Sequence, residues 1–134
     1  MKSRFPTPEE IVVLNRVVTE RLGLEAGDVD VTMIRAILLG VRIARRGKEV
    51  HTDRTLRAAV LLREIVKTRP FAAGNSATAL AAAALYLERH GGVLEISPEQ
   101  AADLVARIRD GSDDQDATAR KVEARVQSEV IPGR

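Results

Sequence analysis

The segment at residues 76–90 restricts the fold more than any other part of the sequence. It reads SATALAAAALYLERH and carries no charged side chain before Glu88. A helix that is apolar on every side is buried among other elements, and its alanines let neighbouring helices approach closely. Because only 2% of the residues are aromatic, Ala, Val, Leu and Ile must fill the core, which favours packed helices over sheets. We therefore predict an all-α fold around this central helix.

Start and stop signals divide the rest of the chain into further helices. Thr7-Pro8-Glu9-Glu10 and Ser97-Pro98-Glu99-Gln100 are both capping boxes with Pro at the first helical position. The pattern predicts a bundle of about six helices and no strand, at residues 8–22, 30–47, 53–67, 76–90, 98–110 and 112–130. In the first helix, the spacing predicts these inward-facing residues: Ile11, Leu14, Val17, Val18 and Leu22.

Length and composition predict one domain that spans residues 1–134, with frayed ends at 1–6 and 130–134. The chain has no cysteine, which excludes disulfides and thiolate sites. It shows no signal segment and no apolar run that could cross a membrane, so we expect a cytoplasmic protein. The net charge of +2 is too small to indicate nucleic-acid binding by itself.

The most motif-like segment comes just before the buried helix, and we call residues 69–77 the Phe71 loop. A Gly-Asn-Ser turn there lies at a helix N-terminus, where backbone N–H groups and the helix dipole favour an anion. The candidate anion-binding residues are Lys67, Arg69, Gly74, Asn75 and Ser76. Phe71 is expected to plug the core. The Ser76 and Thr78 hydroxyls are expected to cap the helix.

This loop resembles the signature of the Fic/Doc (Fido) family, especially its death-on-curing toxin branch. The signature has the form His-x-Phe-x-Asp/Glu-Gly/Ala-Asn-Lys/Gly-Arg, and Phe71, Gly74 and Asn75 match it. The opening Thr7-Pro8-Glu9-Glu10-Ile11, residues 85–91 and the Ser97-Pro98 segment are also similar to the family's pattern. The resemblance covers most of the chain and implies a single Fic/Doc-like domain.

The resemblance implies a chemical role for each signature position. Family members transfer AMP or phosphate from a nucleotide to a protein hydroxyl, with the His as general base, the acid as metal ligand and the final basic pair as phosphate clamp. Those positions are Arg69, Ala73 and Ser76-Ala77 here. Arginine stays protonated and alanine offers no ligand atom. We therefore expect no catalytic residue, no metal and no cofactor, and leave nucleotide binding open.

The resulting hypothesis is a catalytically degenerate Fic/Doc-like protein, related to toxin–antitoxin systems, that acts as a binding or regulatory module. The resemblance implies a protein partner, namely a small helical antitoxin-like segment docked in an apolar groove. One alternative is a divergent transferase that uses Ser76, Thr78, Arg69 or His51. The other is a nucleic-acid-binding protein, which a lack of aromatic stacking side chains disfavours.

Three further sets of residues have simpler interpretations. His51 lies where the family has its substrate-aligning flap, but a lone loop histidine is expected to be a surface residue. His90 is expected to complement the dipole at the end of its helix. A basic cluster lies at the end of the second helix, where cations are favourable, and consists of Arg42, Arg45, Arg46 and Lys48.

Overall fold

Six helices account for most of the structure, a computed structural model that describes residues 4–45 and 51–128. The predicted all-α class is confirmed, with one small two-stranded sheet added. In chain order the elements are α1 (Pro8–Arg21), α2 (Val31–Ile43), α3 (Asp53–Thr68), α4 (Asn75–Glu88), β1 (Gly92–Leu94), α5 (Pro98–Arg109), α6 (Gln115–Glu123) and β2 (Val126–Ser128).

Both predicted capping boxes start their helices as expected. The hydroxyls of Thr7 and Ser97 accept from the third helical N–H of α1 and α5, and the side chains of Glu10 and Gln100 accept from the N–H of the cap residue. Each box satisfies two backbone donors that a helix cannot pair by itself. These two starts are therefore fixed by residues within four positions of each other.

The centre of the bundle is shared between α3 and α4. Seven of the 14 residues of α4 are buried and only Glu88 is exposed, so the helix is central as predicted but not buried on every side. It packs against α3, α1 and β1, whereas α3 packs against four helices, α2, α4, α5 and α6. The α3 residues predicted to face inward are all buried: Leu56, Val60, Leu61 and Ile65. The Phe71 loop joins these two helices, so the core holds both of its ends.

The face that α1 turns to the core differs from the predicted one. Ile11 is fully buried, as predicted, but Val17 and Leu22 are exposed. The polar Asn15 and Thr19 are buried in their place. The prediction is wrong here because buried polar groups need partners, and apolar spacing cannot show that another element supplies them.

The chain after α6 also differs from the prediction. The last helix ends at Glu123, and Val126–Ser128 pairs antiparallel with Gly92–Leu94. The N–H of Glu95 adds a 2.7 Å hydrogen bond to the carbonyl of Arg125. Gly92 allows this approach, because a Cβ there would lie 3.0 Å from Cγ1 of Val126. Partners 30 or more residues apart override the local helical pattern.

The N-terminal segment is partly packed rather than frayed. The Phe5 ring lies 5.8 Å from the ring of Tyr86 and 4.3 Å from the Arg42 guanidinium, and Pro6 is buried. The rest of the predicted frayed ends, at residues 1–3 and 130–134, lies outside the described residues. No helix within residues 4–45 and 51–128 is long and apolar enough to span a bilayer.

Candidate functional site

Asn75 holds the shape of the Phe71 loop. Its Oδ1 accepts a 3.0 Å hydrogen bond from the N–H of Phe71, and its Nδ2 donates a 2.8 Å bond to the Phe71 carbonyl. Both residues are buried, and Phe71 belongs to the hydrophobic core as expected. The two signature residues therefore form a structural clamp, with every polar atom of the Asn75 amide oriented toward the backbone.

A second segment of the chain lies alongside this loop. The N–H of Asp30 donates to the carbonyl of Pro70 at 2.8 Å, and the N–H of Ala72 donates to the carbonyl of Asp28 at 3.1 Å. Val29 and Phe71 form an isolated antiparallel bridge between these bonds. The connection from α1 to α2 is therefore hydrogen-bonded to the backbone of the Phe71 loop.

Asn15 and Thr19 on α1 support the loop from the other side, and the sequence interpretation missed both. Nδ2 of Asn15 donates to the Ala73 carbonyl at 2.8 Å and to Oγ1 of Thr78 at 3.1 Å. Thr19 packs its methyl group against Gly74, where a Cβ would lie 3.0 Å away. The available signal was a pair of uncharged polar residues at positions i and i+4, among the apolar residues of α1.

The prediction that the Ser76 and Thr78 hydroxyls cap α4 is wrong. Gly74 is the N-cap residue, with a φ of 74°, and it provides no side-chain hydrogen bond. Oγ of Ser76 accepts from Nη2 of Arg109 at 2.8 Å, and Oγ1 of Thr78 accepts from Asn15. Both hydroxyls therefore accept hydrogen bonds from side chains of other helices, α5 and α1, and neither caps α4.

The structure separates the predicted anion-binding residues into two groups. Asn75 is buried, and with Gly74 it belongs to the turn itself. Lys67 and Arg69 are exposed and line a depression of about 610 Å³ between the ends of α3 and α5, and Ser76 does not line it. We call this the cationic depression, because four basic side chains line it: Arg63, Lys67, Arg69 and Arg109. The last of these had no signal in the sequence.

The loop lacks side chains for proton transfer. Arg69 ends α3 in the left-handed region, with φ 51° and ψ 62°, and presents a permanent cation. Ala73 contributes only its carbonyl, which Asn15 already binds. Within residues 4–45 and 51–128, no three His, Asp or Glu side chains cluster closely enough to hold a metal ion. The side chain that the loop can offer to a ligand is that of Arg69, which provides hydrogen-bond donors and a positive charge.

His51 is not a surface residue, and that prediction is wrong. It is 1% exposed, and its Nε2 lies 3.3 Å from Oδ1 of Asp116. It precedes α3, whereas the Phe71 loop follows that helix, so the length of α3, about 24 Å, lies between them. The segment beside the loop is residues 28–30 instead.

The remaining basic residues and His90 act at helix ends. Nη1 of Arg45 donates to the carbonyls of Arg42 and Ala44 at the end of α2, as favourable placement predicted. Arg46 and Lys48, the other two members of the basic cluster, lie outside the described residues. Nδ1 of His90 lies 2.8 Å from the Tyr86 carbonyl, in agreement with its expected role.

Exposed apolar side chains are concentrated on α1, α2 and the connection between them. Among the residues that the structure describes, eight large apolar side chains are exposed, and seven of them lie between Val13 and Ile43. Two depressions mark this surface, of about 320 and 240 Å³, and Pro8 lines both. We define the α1–α2 surface by five of the exposed residues: Val13, Val17, Val31, Leu39 and Ile43.

In comparisons with known proteins, no family model and no curated protein matches this chain. The Fic/Doc resemblance therefore depends on the residues of the Phe71 loop and its flanking segments.

Proposed function

We propose that this chain is a catalytically degenerate, Fic/Doc-like binding module, and that its α1–α2 surface takes an acidic helix from a small partner protein of the antitoxin type. The observation that carries this proposal is the concentration of exposed apolar side chains on two adjacent helices. Single exposed apolar residues are ordinary, whereas several on neighbouring elements favour an interaction site. Leu39 and Ile43 are 61% and 68% exposed and lie one helical turn apart.

The shape of the surface supports a helical partner. Depressions that share Pro8 extend from there toward Leu39 on α2 and toward Val13 on α1. Helices bind in grooves through apolar side chains three or four positions apart, each of which needs its own recess. Two adjacent recesses therefore match two successive anchors of one helix.

The charges around the surface support an acidic partner. Arg35 and Arg42 line the first depression, and Arg16 lines the second. Glu9 is the only carboxylate among the described residues that line either one. Since complementary charge at the rim steers association and fixes register, a helix with acidic flanks is favoured.

The loop supports a role without group transfer. A transferase of the family's usual kind needs a base, a metal ligand and a phosphate clamp at positions that Arg69, Ala73 and Ser76-Ala77 occupy here. The loss of a general base alone costs about 10²–10⁴-fold in rate. The loop does contain the clamp between Asn75 and Phe71, which holds its own backbone in place.

The test is affinity capture from the native host, followed by titration with a synthetic peptide. We expect a small protein with an acidic amphipathic helix, and a peptide of that helix should bind the purified chain. Leu39→Asp and Ile43→Asp should each lower the affinity for the peptide by at least about tenfold. Each variant places a negative charge among apolar contacts and repels the acidic flanks of the peptide.

Val93→Asp is the matched control, since Val93 is the eighth exposed apolar residue and lies on β1, away from α1 and α2. It should bind the peptide like the unmodified chain. Equal binding by Leu39→Asp and Val93→Asp would contradict the proposal. A dimer that Ile43→Asp dissociates, measured by light scattering, would also contradict it by assigning the surface to a second copy.

Incubation with labelled ATP, magnesium and host lysate tests the rival transferase. The proposal predicts no labelled target protein. Labelling that Arg69→Gln abolishes, in a preparation with the thermal stability of the unmodified chain, would favour the enzyme.

A further inference from the structure

The cationic depression is a second candidate site, distinct from the α1–α2 surface. It lies between the ends of α3 and α5, where Lys67 and Arg69 approach from one helix and Arg109 from the other. Arg63 lines its base, where Nη1 donates to the Asp113 carbonyl at 2.7 Å and to Oγ1 of Thr118 at 3.1 Å. Four cations from two helices therefore surround one recess.

Three carboxylates also line the depression, and each is engaged within the protein. Asp113 forms ion pairs with Arg107 and Lys121, at 3.0 and 2.5 Å. Asp114 caps α6 by accepting from the N–H of Ala117, and Asp110 accepts from the N–H of Ser112, both at 2.8 Å. All three acidic residues belong to the connection between α5 and α6.

Asp110 and Asp114 bind only neutral N–H groups and keep their charge, but three of the basic side chains likewise lack an ionic partner within the described residues. Within the described part of the chain, Lys67 and Arg69 form no ion pair, and Arg109 binds only the neutral hydroxyl of Ser76. That single bond positions the Arg109 side chain while leaving most of its five N–H donors for a ligand. The recess therefore presents three cations with unused donors.

The backbone of Arg69 adds an independent indication. It is the one non-glycine residue with a positive φ in residues 4–45 and 51–128, at a helix end where glycine is strongly preferred. Keeping arginine here costs backbone strain, which agrees with a use for its side chain. Glycine would relieve the strain and remove the guanidinium.

We propose that the cationic depression binds a phosphate-bearing ligand through Lys67, Arg69 and Arg109. Arginine forks match phosphate oxygens in pairs, and donors from three side chains are best matched by a ligand with several acceptor oxygens. A terminal phosphate provides three, whereas a carboxylate provides two. Arg63 supplies a fixed positive charge beneath them.

Inorganic pyrophosphate without magnesium is the first probe, titrated into isotope-labelled protein and followed by amide chemical shifts. We expect saturable shifts around the ends of α3 and α5. Arg69→Gln and Arg109→Gln should each weaken binding by about tenfold, as expected for the loss of a charge-assisted hydrogen bond. Arg69→Gly should weaken it as much while remaining folded, because its backbone strain is relieved.

Arg16→Gln is the matched control, since it removes the same charge from an exposed position on α1. It should leave pyrophosphate binding unchanged. Because Arg16 lines the second depression of the α1–α2 surface, it should lower the affinity for the helical partner. Shifts that do not saturate would overturn the proposal. So would an Arg16→Gln effect equal to that of Arg69→Gln, since both outcomes indicate unspecific attraction by net charge.

Two further titrations identify the source of the phosphate. Tighter binding of ATP than of a phosphoserine peptide would assign the site to a free nucleotide, and the opposite order would assign it to a phosphorylated protein. Binding of neither would overturn the assignment to a phosphate ester. Ile43→Asp should leave all of these affinities unchanged, which separates this site from the proposed partner surface.

Discussion

Nδ2 of Asn15 donates a 2.8 Å hydrogen bond to the carbonyl oxygen of Ala73, 58 residues further along the chain. The same nitrogen lies 3.1 Å from Oγ1 of Thr78, so one buried amide joins α1 to the Phe71 loop and to the first turn of α4. A buried carbonyl that loses its donor carries the full cost of its desolvation. The loop's position therefore depends on a side chain outside the loop.

Replacing Asn15 by Leu should lower the free energy of unfolding by about 2–3 kcal/mol, because two hydrogen-bond acceptors lose their shared donor. Urea denaturation measures the change. Arg16→Gln, at the adjacent exposed position, should stay within about 0.5 kcal/mol of the unmodified chain. Equal stabilities of the two variants would show that water replaces the Asn15 amide.

Gly74→Ala should destabilise the fold by more than the cost of the left-handed backbone alone, which is about 1–2 kcal/mol. The added Cβ would lie 3.0 Å from Cγ2 of Thr19. Gly23→Ala is the matched control, since Gly23 has a similar φ of 70° but nothing within 4 Å of its Cβ position. The difference between the two variants measures the steric contact, and Thr19→Ser should reduce it. Identical losses would mean that α1 moves aside.

Arg69→Gly should raise the free energy of unfolding by up to about 1 kcal/mol, because glycine adopts the left-handed conformation without strain. Lys67→Gly, within the last turn of α3, should instead lower it by about 1 kcal/mol. Thermal melting of the two variants in parallel checks both signs. A loss of stability in Arg69→Gly would mean that the arginine side chain stabilises the fold.

The ion pair between Glu10 and Arg89 should make stability depend on pH in acid. The hydrogen bond from Arg89 lowers the pKa of Glu10 from 4.5 to about 2. Because the carboxylate is favoured in the folded state, its contribution is fully present above pH 4.5 and is lost as the pH falls toward about 2. Both side chains are partly exposed, so we expect a contribution of about 1 kcal/mol.

Arg89→Gln tests this pair through melting temperatures measured across the acid range. The difference from the unmodified chain should be largest at neutral pH and should shrink as the pH falls below 4.5. Arg21→Gln, exposed at the end of α1, provides the control for net charge. A difference between the Arg89→Gln and unmodified proteins that stays constant with pH would contradict the assignment.

Local signals in the sequence predicted much of the helical framework. The boxes at Thr7 and Ser97 and the apolar stripe of α3 depend on residues a few positions apart, so their outcome could be inferred from the chain alone. The inward face of α1 could not be inferred from the sequence. Asn15 is buried because the Ala73 carbonyl accepts its hydrogen bond, and that pairing exists only in the folded chain.

The candidate site follows the same division. Phe71 and Asn75 had recognisable positions in the sequence, and both shape the loop. Arg109 lies 33 residues from Ser76, on a helix whose orientation the sequence did not predict. His51 was expected at the surface, yet it is buried and lies beside Asp116, 65 residues away. Long-range contacts decided each of these outcomes.

Tyr86 gives this chain a built-in optical reporter. It is the single tyrosine, there is no tryptophan, and its ring is fully buried between Phe5 and His90. Burial raises the pKa of its phenol, although the nearby Arg57 opposes this effect. The fluorescence of this tyrosine and the alkaline titration of its phenol therefore report whether the N-terminal segment is packed on the core. Neither measurement needs a dye or an engineered fluorophore.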